Sequence, residues 1–224
     1  MSRCYLKKML AWALLWTLSM AAPAHADGPG AYQPRAQPSA ARPILSELQA
    51  IEAYNLGYAA IQRADHATAL AEATSDPKAK RQSQSTAAEQ YEQSLPHLEE
   101  AVRLDPYFYE GFTYLGYANR KLGRQSRALA AYKRALEINP DYSHAIEYQG
   151  QAFLGSNRIE EARFNYLRLY ALNKGQAKKL LQAMQAWLES HEGPAPTGID
   201  MDSFAAWVAQ RTELTRDDPL AAPW

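Results

Sequence analysis

Downstream of Cys4 this 224-residue sequence has no cysteine. Disulfides, thiolate metal ligands and a cysteine nucleophile are therefore excluded from almost the whole chain, and its stability must come from packing. An excess of charge of either sign is also lacking: 24 Lys and Arg balance 24 Asp and Glu. A neutral chain has no electrostatic footprint for nucleic acid. Long hydrophobic runs are missing too. The longest apolar stretch, Met9 to Ala22, ends at Pro23, short of the roughly 20 residues a spanning helix needs. Nucleophile elbow, phosphate loop and haem-attachment motifs are all absent. Of the five histidines, the four beyond residue 26 are His66, His97, His144 and His191. No two of them stand three or four apart, so no helix presents a zinc pair. Adjacent carboxylates such as Glu99-Glu100 and Glu160-Glu161 point in two directions on a helix and read as solvated surface. Asp200-x-Asp202 reads as helix capping rather than metal binding, with Asp202 as the N-cap. No enzyme, no metal and no cofactor is expected.

What is present begins with an export pattern. Arg3, Lys7 and Lys8 precede the apolar stretch, and Ala24-His25-Ala26 follows it, which predicts a signal peptide over residues 1–26 cleaved before Asp27. The remaining chain then holds 21 bases against 24 acids, with no membrane insertion after cleavage. Residues 27–45 contain Pro29, Pro34, Pro38 and Pro43 and few large apolar side chains, the composition of a flexible linker.

From Ser46 the sequence is helical in pattern, and it repeats. Phe112, Leu115, Gly116, Ala128, Tyr132, Ala135 and Pro140 recur 34 residues later as Ile146, Gln149, Gly150, Ala162, Tyr166, Leu169 and Lys174. Leu98, Ala101 and Pro106 stand one period earlier. A fixed period of this length is the signature of a stacked repeat array. Ala53-x2-Leu56-Gly57 matches the same pattern, but Gly57 and Gly116 are 59 residues apart, which requires an insertion of about 25 residues over the 34-residue period. Two arrangements fit residues 65–90: a long helical hairpin turning at Ser75–Pro77, or a loop. Pro96 is expected to kink or restart the second helix. The glycines at 57, 116 and 150 fit sites where paired helices approach closely, and Gly123 fits a left-handed helix end.

The pattern Phe112-x2-Leu115-Gly116, Ala128-x3-Tyr132, Pro140 resembles the tetratricopeptide repeat. The resemblance covers residues 46–190, most strongly 107–174. It implies an all-α, short solenoid of about three helix-turn-helix units. The divisions are an interrupted first unit at 46–106, units at 107–140 and 141–174, a capping helix at 175–190, and a linker, short helix and tail at 191–224. In this family the first helices line a concave groove that receives a protein partner. Carried onto this chain, the groove residues are Tyr54, Tyr58, Thr113, Tyr117, Arg120, Glu147 and Gln151. Family members that clamp a chaperone's terminal carboxylate use Lys and Asn where this chain has Tyr54 and Tyr58, so that mode is not expected. The reading is a non-catalytic periplasmic adaptor or assembly factor, with secretion as the alternative location. The rivals are a self-associating scaffold built on the 47–104 hairpin and an accessory subunit of an envelope enzyme or transport complex.

Overall fold

The computed structural model describes residues 44–191, 196 and 198–216. The expected signal peptide and the C-terminal tail beyond 216 lie outside the described residues. So does the linker, except Ile44 and Leu45, which belong to the first helix instead.

Eight helices run in chain order through the described residues: α1 Ile44–Ala73, α2 Pro77–Leu104, α3 Tyr109–Lys121, α4 Gln125–Ile138, α5 Ser143–Leu154, α6 Ile159–Leu172, α7 Lys174–Ser190 and α8 Met201–Arg216. Each odd-numbered helix packs on the even one after it, and α1, α3, α5 and α7 also meet in succession. The fold is an all-α helical solenoid.

Residues 65–90 form the hairpin. Thr74, Ser75 and Asp76 make the turn between two helices of 30 and 28 residues. Asp76 caps α2 by accepting from the Lys78 and Ala79 amides at 3.0 and 3.3 Å, and Pro77 takes the first helical position, where its missing N–H costs nothing. Alanines 60, 64, 67, 71 and 87 close the interface, so the two helices stay in contact along the insertion. Pro96 does not restart α2, which is one helix through Leu104. Pro96 and Glu92 are both exposed, on one face of α2, where water can serve the carbonyl that the proline leaves unbonded.

The repeat glycines are seats for side chains. A Cβ on Gly57 would lie 2.7 Å from Leu98 Cγ, and one on Gly116 would lie 2.5 Å from Tyr132 Cε1. In both cases the partner is the second helix of the same pair. Gly150 differs, because its seat is filled from α7 by Leu180, 2.5 Å from a built Cβ. Tyr166, the period-equivalent of Tyr132, instead meets the edge of Trp207 from α8 at 5.2 Å.

The helix ends also repeat. Gly123 has φ +75°, and the Arg124 amide donates back to the Asn119 carbonyl at 2.8 Å. One period on, Asn157 takes φ +58° and the Arg158 amide donates to the Phe153 carbonyl at 2.9 Å. At α8 the capping residue is Asp200, whose Oδ1 accepts from the Ser203 amide at 3.0 Å. Asp202, expected in that role, lies inside the first turn. The helix begins at Met201, one residue before it.

Two larger cores result. One joins Tyr54, Ile61, Tyr91, Leu98, Phe108 and Tyr114 across α1, α2 and α3. The other joins Ile146, Tyr166, Leu180, Met184, Trp187 and Phe204 across α5 to α8. An open solenoid must cover its last apolar face, and α7 and α8 do so here.

Candidate interaction surface

Successive first helices bring a run of aromatic rings together. On α1, Tyr54 and Tyr58 stack with centroids 5.8 Å apart. Tyr58 meets the edge of Tyr114 on α3 at 4.8 Å, and Tyr117 meets Tyr148 on α5 at 4.9 Å. The Arg120 guanidinium lies 5.2 Å from the Tyr117 centroid and 5.8 Å from that of Tyr148, within cation–π range of both. Burial alone would lower the Arg120 pKa, but Tyr132, Tyr117 and Glu147 outweigh it and the net direction is upward. The charge is therefore held in place by a ring of acceptors and π-faces.

Asp65 ties this row to the hairpin. Its Oδ1 accepts from the Tyr117 hydroxyl at 2.8 Å and from the Tyr91 hydroxyl at 2.5 Å. Burial pushes the phenols of Tyr54, Tyr114, Tyr117 and Tyr148 far above the ordinary tyrosine range. For Tyr91, burial acts first and its bond to Asp65 second. Burial likewise raises the Glu147 carboxyl, against the opposing effect of its hydrogen bond from Gln151. Phenols that resist ionisation remain hydrogen-bond donors across the physiological range.

The seven residues expected to line the groove divide into two groups. Tyr58, Tyr117, Arg120 and Gln151 are half-buried and retain reachable surface. Tyr54, Thr113 and Glu147 do not: they are 6%, 0% and 1% exposed. Tyr54 is wedged against Phe108 at 4.9 Å. Thr113 turns its hydroxyl back to the Tyr109 carbonyl at 2.7 Å. Glu147 accepts from Gln151 on its own helix. These three are corrected from surface to supporting floor, because adjacent first helices come close enough to cover them.

Sequence reasoning missed three members of the cluster. Tyr114 and Tyr148 are 34 residues apart, so the repeat period carried the signal that pairs them. Asp65 belongs to the extended part of α1, where the period gives no register. Beside it a crevice of about 230 Å³ opens between α1 and α2, bordered by Thr68, Glu72, Lys80, Gln84 and Lys121. Among the described residues no helix is long and apolar enough to cross a membrane.

The family model of the tetratricopeptide repeat matches residues 109–142, the segment from α3 through α4. That segment is similar to one tetratricopeptide repeat. Small glutamine-rich tetratricopeptide repeat-containing protein 2 of Saccharomyces cerevisiae is 36% identical over 52 residues, which cover 23% of this chain and 15% of that protein. Paired helices stacked in succession with a closing helix make a tetratricopeptide-type solenoid. Proteins built on this repeat act generally in protein–protein interaction and are typically non-catalytic.

Proposed function

We propose that this protein is a non-catalytic periplasmic adaptor or assembly factor that holds a protein partner against the face of α1, α3 and α5. The observation that carries the reading is the Tyr58–Tyr117–Arg120–Tyr148 cluster. Tyrosine and arginine provide large contact area together with hydrogen bonding, and recognition hot spots favour them. Here the rings and the guanidinium are already fixed by Asp65 and by one another, so little side-chain entropy remains to be lost on binding. The location rests on the N-terminal pattern of Arg3, Lys7, Lys8, the apolar stretch and Ala24-His25-Ala26.

Two experiments test the reading. Fractionation with N-terminal sequencing is expected to recover a chain beginning at Asp27 in the periplasm; a full-length chain in the cytoplasm would remove the export claim. In-cell crosslinking followed by mass spectrometry compares wild type with Tyr58→Ala/Gln151→Ala, whose side chains are half-buried, with circular dichroism checking that the variant keeps its helices. One partner is expected to be enriched by wild type and lost by the variant. Equal capture by a folded variant would take the groove out of consideration.

A further inference from the structure

The solenoid is closed at its C-terminal end by α7 and α8, but the other end is open within the described residues. There α1 presents Leu45, Leu48, Leu56 and Leu70 at 66%, 59%, 52% and 50% exposure. Counting about 100° per residue, Leu45, Glu52, Leu56, Arg63 and Leu70 fall within roughly 20° of one line along the helix, with the buried Tyr54 on the opposite side. The stripe runs for about 38 Å at 1.5 Å per residue. The opposite face buries Ala50, Tyr54, Ile61 and Ala64, and a helix apolar on both sides is the pattern of one covered on both sides.

We infer that this stripe pairs with the same stripe of a second copy of the chain, α1 against α1 in antiparallel register. The charges on the stripe decide the occupant. Leu45 and Leu70 are equidistant from a point between Gly57 and Tyr58; so are Glu52 and Arg63, and so are Leu56 and Ala59. A two-fold axis through that point sets Leu45 against Leu70 of the other copy, Leu56 against Ala59, and Glu52 against Arg63, twice over. Such self-complementarity is what an isologous interface requires. A parallel pairing would set Glu52 beside Glu52, and an anionic lipid surface would repel it. Arg63 donates its Nε to the neutral Gln90 at 2.6 Å on an exposed surface, and the guanidinium has further N–H donors to offer a carboxylate. The pairing occupies the side of α1 turned away from α3. It leaves the tyrosine–arginine face open, and it stands or falls independently of the partner-binding reading.

The test is sedimentation equilibrium of the full chain carrying charge reversals. Wild type is expected to be a dimer. Glu52→Arg and Arg63→Glu alone each place like charges together at both ends of the axis, and each should raise the dimer dissociation constant at least tenfold. The double variant Glu52→Arg/Arg63→Glu should recover dimers. An equimolar mixture of the two single variants should form heterodimers, since every contact between them is complementary. Leu56→Glu, next to the axis, should give monomers that keep wild-type helicity by circular dichroism. A wild-type chain that stays monomeric overturns the proposal. So does a dimer indifferent to both single reversals, the result expected of association through the N-terminal apolar segment, and so do single variants that fail to pair with each other.

Discussion

Replacing Gly116 by alanine tests the packing rule on which the repeats are built. On an exposed helix this change stabilises by about 1 kcal/mol, because alanine is the better helix former. At this position the new methyl carbon would lie 2.5, 2.8 and 2.9 Å from Cε1, Cδ1 and Cζ of Tyr132. That ring is rigid and fully buried, and Tyr148 flanks it at 6.3 Å, so it has no flexible end that could swing aside. Relieving the clash requires the helices to separate, and overpacking of this kind costs about 1–3 kcal/mol. The net expectation is a loss of up to about 2 kcal/mol. For a chain of this size it corresponds to a fall in melting temperature of up to about 8 °C. Urea unfolding and thermal melts followed by circular dichroism measure it directly. A double-mutant cycle with Tyr132→Leu identifies the cause: a smaller partner should absorb much of the penalty, giving a coupling of about 1 kcal/mol or more. If Gly116→Ala raises the midpoint, or if the two changes add without coupling, the glycine is not a seat for Tyr132 and the account of the repeat is wrong.

Other outcomes follow from the same geometry. Asn157 bears the left-handed φ that Gly123 bears one period earlier, so Asn157→Gly should be neutral or stabilise by up to about 1 kcal/mol while Gly123→Ala destabilises by about 1 kcal/mol, both read from urea midpoints. Asp76→Ala removes the side-chain acceptor for two amides at the hairpin turn and should cost about 1 kcal/mol, with proteolysis appearing first near residues 74–77. The tyrosine cluster sets an alkaline limit. Its phenols ionise in the unfolded chain near pH 10 but far higher when folded. Stability is therefore full below pH 10 and lost as pH rises above it, and phenolate absorbance should appear together with the loss of helicity. Glu147 has the same sign at lower pH. Its folded carboxyl titrates above the unfolded value, so it weakens the fold as pH rises from about 4.5, and Glu147→Gln should flatten that slope in a series of melts.

What a sequence discloses about a solenoid depends on which neighbours its period relates. Gly116 facing Tyr132 is a contact inside one repeat, and the period carries it faithfully. Gly57 facing Leu98 survives the insertion because both residues keep their places relative to the two arms of the hairpin. Gly150 breaks the rule, because its seat is filled from α7, a helix outside the matched units that occupies the space after the last repeat. The candidate surface divides in the same way. Period-matching selects which residues share a helix face, so Tyr58, Tyr117 and Gln151 came out with reachable surface. It does not determine how near adjacent first helices come, and that distance is what buries Tyr54, Thr113 and Glu147. The bond from Tyr117 to Asp65 spans 52 residues and depends on how far α1 runs past its usual end, which a 34-residue period has no term for. The outward stripe of α1 is a third case. Among the described residues that line faces no further repeat, because in a terminal repeat the outward face has lost that neighbour; Arg63 reaches only sideways, to Gln90 on α2. A stripe whose charges complement themselves when reversed points to a second copy.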